Sequence, residues 1–224
     1  MQRRIVKTAD GSDTIAIDDL SVSYHSKHGA LQESTHVFID AGLKYYHSQY
    51  PECGTIKIFE MGLGTGLNFL LSNDYASKSK VKIDYTAIEK YPLSDNEIKD
   101  LNYAELLNEA ELFDILHSME WGKYIQATDG VRLHKVKGDL EGFGSDELYD
   151  VIYYDAFAPN AQPELWTVDV FKKLYGMMTD NAILVTYCSK SDVRRAMISA
   201  GFEVEKLQGP PGKREMLRAL KVNN

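Results

Sequence analysis

The chain has 224 residues, of which 44% are hydrophobic and 26% are charged. This composition excludes a disordered chain and predicts a globular protein with a sizeable core. The net charge of −8 argues against a general nucleic-acid binder. No apolar run approaches the roughly 20 residues that span a bilayer, and the N-terminus lacks the apolar stretch of a secretory signal. We therefore expect a cytoplasmic protein with no membrane contact.

The charges are distributed unevenly along the chain, and there are only two cysteines. From Cys188 onward, eight basic residues accompany only four acidic ones, so this part is positive and the remainder strongly negative. The basic C-terminal part of an otherwise acidic protein could bind one structured polyanion locally. The alternative is that the excess of basic residues arose by chance on a solvated surface. Cys53 and Cys188 provide neither a disulfide framework nor metal-ligand spacing, so we expect packed thiols in a reducing compartment.

In chain order, the pattern begins with two short strands at residues 4–8 and 13–17 and a helix over 30–48. Strands then alternate with helices. The strands are predicted at 56–60, 81–88, 131–136, 149–154, 182–187, 202–207 and 215–220, and the helices at 67–75, 94–118, 167–177 and 191–200. This alternation predicts an α/β fold with a largely parallel sheet. The last two strands have no helix between them and should pair antiparallel at one edge. We expect residues 1–54 to form a β-hairpin and helix extension that packs on the core, and residues 55–224 to form the main domain.

Ligands of parallel α/β sheets bind at the carboxyl ends of the strands, where the sequence places a glycine-rich loop. Glu60 precedes this loop, which has the spacing Gly62-x-Gly64-x-Gly66 and includes Thr65, with Asn68 just after it. Glycines let a backbone approach a ligand closely, but a pyrophosphate favours a helix N-terminus without a neighbouring carboxylate. An acid beside the loop fits a cationic ligand better. We therefore predict S-adenosyl-L-methionine as the cofactor, with a purely structural turn as the alternative.

Two further strand ends carry candidate cofactor ligands. Glu89 ends the second strand of the main domain and can accept hydrogen bonds from both ribose hydroxyls of an adenosine. Gly138-Asp139 ends the third strand, and the expected role of its carboxylate is a hydrogen bond to the adenine amino group. The alternatives are a solvated glutamate and a turn-forming Gly-Asp pair.

The loop after the fourth strand begins with an acid, Asp155. Phe157 and Pro159 follow, and Trp166 lies further along. Prolines stiffen such a loop, and an aromatic face can stack on a planar substrate such as a base. For Trp166 a place in the core is the favoured interpretation. His25 and His28 have a spacing that suggests a metal, with His36 beyond them, but no further ligands complete the set, so we expect no metal site.

These motifs resemble a known family. Residues 23–38, 60–71, 150–167 and 212–217 are similar to the methyltransferase domain of the bifunctional bacterial enzyme that completes 5-methylaminomethyl-2-thiouridine in tRNA. The block from Asp155 to Thr167 and the segment from Lys213 to Met216 carry most of the resemblance, and the pair Pro210-Pro211 departs from it. The resemblance implies a Rossmann-like class I methyltransferase with a mostly parallel seven-stranded sheet. It also implies a stand-alone form of that domain.

The resemblance implies the reaction, and together with the motifs above it predicts roles for individual residues. The exocyclic amine of 5-aminomethyl(-2-thio)uridine at the wobble position would be methylated, with the tRNA anticodon loop as partner. Asp155 would lie between cofactor and substrate and is the candidate catalytic residue. The expected cofactor-binding residues are Glu60, Gly62, Gly64, Thr65, Gly66, Asn68, Glu89, Gly138 and Asp139. The expected substrate-binding residues are Phe157, Pro159, Arg194, Arg195, Lys213 and Arg214, of which Lys213 and Arg214 would face the RNA backbone.

Other functions remain open on the sequence alone. The segment Tyr149–Asp155 also resembles aminopropyltransferases, which share this fold, and an acidic protein would suit a polyamine. A small-amine methyltransferase is a related alternative. A nicotinamide oxidoreductase is disfavoured by the acid before the glycine loop and by the helix-free final strand pair. A non-catalytic adaptor is disfavoured by the intact loop with Glu89 and Asp155. The oligomeric state is left undetermined.

Overall fold

The computed structural model describes residues 2–222. Its strands are β1 (Arg3–Lys7), β2 (Asp13–Ile17), β3 (Val22–Ser23), β4 (Thr55–Met61), β5 (Lys82–Glu89), β6 (Tyr124–Thr128), β7 (Val131–Lys137), β8 (Tyr149–Tyr154), β9 (Met178–Thr186), β10 (Glu203–Gln208) and β11 (Glu215–Leu220). Its helices are α1 (Ala30–Ser34), α2 (Tyr45–Gln49), α3 (Leu67–Ser79), α4 (Asp95–Lys99), α5 (Tyr103–Leu106), α6 (Ala110–Ser118), α7 (Val168–Gly176) and α8 (Ser191–Ser199). A π-helical segment, Thr35–Lys44, joins α1 to α2, and short 3-10 turns occur at Asp18–Leu20 and Pro163–Trp166.

The main sheet has the strand order β10-β11-β9-β8-β4-β5-β7-β6. Its five central strands, from β9 to β7, are parallel, whereas β6, β10 and β11 pair antiparallel with their neighbours. From β4 the chain proceeds to β5 and β7, and then returns to the other side of β4 to form β8. A topological switch point therefore lies between β4 and β8, where ligands of open α/β sheets bind.

The predicted α/β architecture and the antiparallel pairing of the last two strands are confirmed, with two differences in detail. The main sheet has eight strands instead of seven, because β6 pairs with β7 across the turn Asp129-Gly130. The helix predicted over 94–118 is three short helices. It is interrupted where the Asn102 side chain accepts a hydrogen bond from the Asp13 backbone N–H and donates one to the Gly11 carbonyl, 2.9 Å each, thereby joining the break to the N-terminal hairpin.

Alternating side chains of the central strands fill two cores, one on each face of the sheet. In β8, Val151 and Tyr153 point to one core, and Ile152 and Tyr154 point to the other. The first core also receives α3 and α6, and the second receives α7 and α8. Strands buried on both faces explain the nearly continuous apolar sequence of β8.

The N-terminal segment contributes to the first of these cores. Strands β1, β2 and β3 form a separate antiparallel sheet, and Ile15 of β2 shares its core with Val37 and Phe38 of the π-helical segment. Gly42 lets this segment approach the sheet, because a Cβ there would lie 3.0 Å from Val185 Cγ2. The domain boundary near residue 54 stays a prediction. No helix among residues 2–222 is long and apolar enough to cross a membrane.

Candidate active site

Four of the predicted strand-end segments meet at one edge of the main sheet. A cavity of about 190 Å³ opens there. Its lining includes Gly62, Gly64, Thr65, Asn68, Glu89, Asp139, Asp155 and Phe157 from the predicted set. Parallel strands explain this convergence, because β4, β5, β7 and β8 all end at the same edge.

The glycine loop has a backbone that other residues rarely adopt. Gly62, Gly64 and Gly66 have φ values of 92°, 53° and 77°. A Cβ at Gly66 would lie 2.3 Å from Leu116 Cδ2, and one at Gly64 would lie 2.9 Å from the Tyr24 ring. The glycines are therefore required both by the left-handed turn and by the close packing of α6 and Tyr24. Gly66 itself is the N-cap of α3.

Glu89 links the end of β5 to the glycine loop. Its Oε2 accepts a hydrogen bond from the Gly64 N–H at 3.0 Å, and its Oε1 accepts one from the Tyr91 N–H at 2.8 Å. The carboxylate lines the cavity with one backbone donor on each oxygen. Each oxygen keeps a further lone pair that can accept a hydrogen bond from a ligand hydroxyl.

Beneath the loop, one asparagine connects two carboxyl groups. Asn68 Nδ2, in the first turn of α3, donates hydrogen bonds to Glu60 Oε1 at 2.8 Å and to Asp155 Oδ2 at 3.0 Å. Glu60 is fully buried and is not among the cavity-lining residues. Burial, with Asp155 nearby, raises the pKa of Glu60 well above its usual value against the opposing effect of the Asn68 hydrogen bond. The structure thus places Glu60 under the loop rather than in the cavity wall.

Asp155 has an environment suited to proton transfer near neutral pH. Burial is the main cause that raises its pKa to about 7, and the carboxylate of Glu33 adds to this effect. The Asn68 hydrogen bond and the charge of Lys213 act in the opposite direction. A cavity-lining carboxyl group with this pKa can both accept and release a proton at physiological pH.

The segment after β7 forms a less buried part of the cavity wall. Asp139 Oδ1 accepts a hydrogen bond from the Gly142 N–H at 3.0 Å, and its Oδ2 lies 3.3 Å from Lys90 Nζ. The Gly142 hydrogen bond and then Lys90 hold the pKa of Asp139 below its usual value. Gly138 is not among the cavity-lining residues. Asp139 therefore stabilises a turn through Gly142, as the alternative of a turn-forming Gly-Asp pair predicts, and it also lines the cavity.

The loop after β8 presents one aromatic ring to the cavity. Phe157 lines it and packs edge-on against Tyr24, with 5.2 Å between ring centroids. Trp166 is buried in the second core and donates a hydrogen bond from Nε1 to the Phe157 carbonyl at 2.8 Å. Pro159 is half-buried and does not line the cavity. Trp166 thus supports the loop from the core, as its favoured interpretation predicts.

The four predicted basic residues lie outside the cavity lining and differ in orientation. Arg195 and Arg214 are exposed, and Arg195 is paired with Asp192. Arg194 is half-buried on α8. Lys213 instead turns inward, with Nζ 2.5 Å from Glu33 Oε1. The structure therefore separates Lys213 from Arg214, although the sequence places them side by side.

Sequence reasoning misses several site residues because they come from the N-terminal segment. Tyr24, His25 and Arg3 line the cavity, and Tyr24 covers Gly64. The only sequence signal for them is that Tyr24 and His25 fall in a stretch that carries the family resemblance. His25 is buried, which lowers its pKa to about 4. Within residues 2–222, no group of three or more His, Cys, Asp or Glu side chains is arranged to hold a metal.

The cavity provides features that a cationic adenosine derivative requires. Acidic side chains outnumber basic ones in its lining: Glu89, Asp139, Glu141, Asp155 and Glu164 against Arg3 and Lys90. Among the described residues, Thr65 Oγ1 and Asn68 Oδ1 are buried at the loop without a hydrogen-bond partner. The excess of acidic side chains gives the cavity a negative potential, which suits a cationic ligand.

Comparison with known proteins agrees with this chemistry. A family model of S-adenosyl-L-methionine-dependent methyltransferases matches residues 106–222. The tRNA 5-methylaminomethyl-2-thiouridine biosynthesis bifunctional protein MnmC of Pseudomonas savastanoi is 33% identical over 211 residues, which cover 89% of this chain and 32% of that protein. An uncharacterised protein of Methanocaldococcus jannaschii is 27% identical, with 98% of this chain and 60% of that protein covered. The chain thus spans about a third of the length of the MnmC relatives.

Among solved structures, MNMC2 of Aquifex aeolicus has a TM-score of 0.80 at 24% identity, covering 99% of this chain and 72% of that chain. Spermidine synthase of Thermotoga maritima has a TM-score of 0.56 at 12% identity, covering 98% and 68%. These structures share the fold. Fold and site together define a class I α/β transferase. The chain belongs to the family of S-adenosyl-L-methionine-dependent methyltransferases, and its cofactor is S-adenosyl-L-methionine.

Proposed function

We propose that this protein transfers a methyl group from S-adenosyl-L-methionine to the exocyclic amine of 5-aminomethyl(-2-thio)uridine at the wobble position of tRNA. The observation that carries the proposal is Asp155, a carboxyl group with a pKa of about 7 at a negatively charged cofactor cavity. The similarity to the MnmC proteins of tRNA 5-methylaminomethyl-2-thiouridine biosynthesis supports the substrate class.

The site residues present fit the cofactor. Glu89 would accept hydrogen bonds from the ribose hydroxyls, Asp139 would accept one from the adenine amino group, and the glycine loop would allow close backbone approach. Asn68 Oδ1, which is buried beside the loop without a hydrogen-bond partner, would be available to accept a hydrogen bond. Glu60 would not contact the cofactor itself. It would orient Asn68 by accepting a hydrogen bond from the Asn68 amide beneath the loop. The bound cofactor supplies an electrophilic methyl group on a sulfonium.

Asp155 would accept a proton from the substrate amine or orient that amine. An ammonium has no lone pair, so the amine must be neutral before its nitrogen can attack. The bound cofactor would supply the methyl group and keep the electron pair of the C–S bond on sulfur, and the methylated amine would then have one proton to release. Asp155 would accept that proton as a general base. Because a neighbouring carboxylate also stabilises an ammonium and raises its pKa, the alternative is that Asp155 orients the amine while the proton leaves to water.

The remaining predicted residues would bind the nucleotide and its backbone. Phe157, held edge-on to Tyr24, offers a ring on which a uracil can stack. Arg194, Arg195 and Arg214 would contact phosphates around the base. The anticodon loop is already single-stranded, so exposing its wobble base costs little. We leave Lys213 out of the proposed phosphate ligands, because its ammonium is paired with Glu33.

The test is methyl transfer from labelled S-adenosyl-L-methionine to two tRNA pools, one lacking wobble modification and one carrying 5-aminomethyl groups. Nucleoside analysis should show the label in 5-methylaminomethyluridine from the second pool only. A parallel arm offers putrescine and other small amines. Transfer only to these amines would refute the tRNA substrate and favour a small-amine methyltransferase. Activity only with putrescine and decarboxylated cofactor would indicate an aminopropyltransferase, whose fold this chain shares.

A further inference from the structure

The half-buried side chain of Lys213 is held by two contacts. Its Nζ lies 2.5 Å from Glu33 Oε1 and 3.9 Å from the centroid of the Tyr187 ring. Side-chain exposure is 31% for Lys213 and 6% for Glu33. Glu33 Oε2 accepts a hydrogen bond from the Ser26 N–H at 2.6 Å. Both oxygens of this buried carboxylate are therefore engaged, one of them by the ammonium.

Tyr187 connects this ion pair to the loop after β8. Its hydroxyl donates a hydrogen bond to the Ala156 carbonyl at 2.8 Å, and Ala156 directly follows Asp155. The Lys213 ammonium thus packs on the Tyr187 ring, and the Tyr187 hydroxyl is hydrogen-bonded to Ala156, the residue next to Asp155. In agreement with this arrangement, Lys213 and Glu33 act on the pKa of Asp155 in opposite directions.

The loop that carries Lys213 is fixed on both sides. The Lys213 N–H donates to the Pro210 carbonyl at 2.9 Å, and the Gly209 N–H donates to the Arg214 carbonyl at 3.1 Å. Gly212 packs so tightly on His28 that a Cβ there would lie 2.2 Å from the imidazole. A loop constrained in this way directs Lys213 inward while Arg214 stays exposed.

We propose that Glu33 and Lys213 form a positioning pair that sets the charge on Asp155, so that Lys213 acts at the active site and not on the RNA backbone. Lys213 favours the ionised carboxylate, which can accept a proton from the substrate amine. Glu33 limits this effect, because its carboxylate repels that of Asp155 and partly neutralises the ammonium. The role in catalysis rests on the proposed function, whereas the effect on Asp155 does not.

The charge of Asp155 raises the pKa of titratable groups from several elements. These groups are Glu60 in β4, Tyr85 in β5, Tyr103 in α5, and Tyr187 just after β9. His25 also lies in the field of Glu33 and Lys213. Lys213 is the cation among the residues that act on the pKa of Asp155. Its removal should therefore have an effect that loss of a neutral phenol does not reproduce.

The test is a titration of the Asp155 carboxyl group by carbon NMR in the full chain labelled with carboxyl-¹³C aspartate, with Asp155→Asn identifying the resonance. Lys213→Met should raise the titration midpoint by roughly one pH unit, and Glu33→Gln should lower it, because a charge close to a titrating site shifts its pKa by about this amount or more. Lys213→Arg should keep the wild-type midpoint, as should the neighbouring surface variant Arg214→Ala. The double variant with both charges removed should return towards wild type.

Opposite shifts in the two single variants are the signature that a merely structural role would not produce. Unchanged midpoints, or shifts of the same sign, would overturn the proposal. If Lys213→Met fails to fold, Lys213→Gln replaces it and should also raise the midpoint. The Glu33→Gln variant tests the proposal independently, because its midpoint should fall. With the aminomethyl tRNA as substrate, the acidic limb of the kcat profile should move in parallel with the midpoint, and a stationary limb would remove the catalytic role. If the NMR midpoints shift as expected but no tRNA is methylated, the proposed tRNA substrate is refuted, while the effect of the Glu33–Lys213 pair on Asp155 stands.

Discussion

Asn68 donates a hydrogen bond to Asp155 at 3.0 Å and thereby ties the first turn of α3 to the loop after β8. The same amide group holds Glu60 at 2.8 Å. The cofactor loop and the candidate catalytic carboxyl group are therefore parts of one hydrogen-bonded unit. A change at Asp155 should consequently be separable into effects on chemistry, on cofactor binding and on stability.

Asp155→Asn should lower kcat more than it weakens cofactor binding. Loss of a positioned general base typically costs a factor of about 10²–10⁴ in rate, while an asparagine can still accept the Asn68 hydrogen bond. The checks are steady-state kinetics on the aminomethyl tRNA and calorimetric titration with S-adenosyl-L-methionine. Asp146→Asn, at an exposed position, is the matched control. An unchanged kcat would exclude Asp155 from both the base and the orienting role.

The same substitution should stabilise the fold at alkaline pH. The pKa of Asp155 is raised in the folded state to about 7, so stability is lost as pH rises from the unfolded pKa through 7 and the group ionises. At pH 8 the Asn variant should exceed the wild type by up to about 4 kcal/mol in free energy of unfolding. The advantage should disappear below about pH 4, where both states bind the proton. Urea unfolding at alkaline and acidic pH measures this, and a variant less stable than wild type at alkaline pH would contradict the pKa shift.

Glu89→Gln should act mainly on cofactor affinity. A hydrogen bond to a charged group contributes about 1.5–3 kcal/mol, so the Kd for S-adenosyl-L-methionine should rise roughly 10- to 100-fold, with kcat at saturating cofactor nearly unchanged. Glu141→Gln alters another cavity-lining acid and should have a smaller effect. Equal losses for the two variants would indicate a general electrostatic contribution in place of a specific contact from Glu89.

Gly66→Ala should damage the loop and the fold together. The residue has φ 77°, and a Cβ would lie 2.3 Å from Leu116 Cδ2. Strain of this kind costs on the order of 1–3 kcal/mol, so the melting temperature and cofactor affinity should both fall. Gly138→Ala is the contrasting variant, because no atom lies within 4 Å of its Cβ position. Thermal unfolding with and without cofactor distinguishes the two, and equal behaviour would contradict the steric argument.

The arginines of the C-terminal part should account for some of the salt dependence of tRNA binding. Replacing Arg194, Arg195 and Arg214 by Ala should reduce the slope of log K against log salt by about 0.7 for each single-strand phosphate that is no longer neutralised. Fluorescence anisotropy with labelled tRNA over a salt series measures it. Lys78→Ala and Lys44→Ala remove exposed cations on other helical segments and are the controls. A slope that stays at the wild-type value would place the RNA elsewhere.

Local sequence signals determined most of the fold. Alternation of apolar strands with helices specified the parallel sheet, and the helix-free link between the last two strands specified their antiparallel pairing. The Asp129-Gly130 turn is a readable hairpin signal for β6, although the predicted seven-stranded sheet does not include that strand. The break in the helix predicted over 94–118 has no comparable local signal, because it depends on hydrogen bonds from Asn102 to the distant N-terminal hairpin.

The sequence by itself also determined which strand ends carry Gly62, Glu89, Asp139 and Asp155, because a parallel sheet brings the carboxyl ends of its strands to one edge. Only the tertiary structure decided that Tyr24 covers the glycine loop, that Glu60 lies beneath it, and that Lys213 turns inward to Glu33. These contacts join residues up to 180 positions apart. Their geometry follows from how separate elements pack, and neither local propensity nor hydrophobic periodicity carries that information.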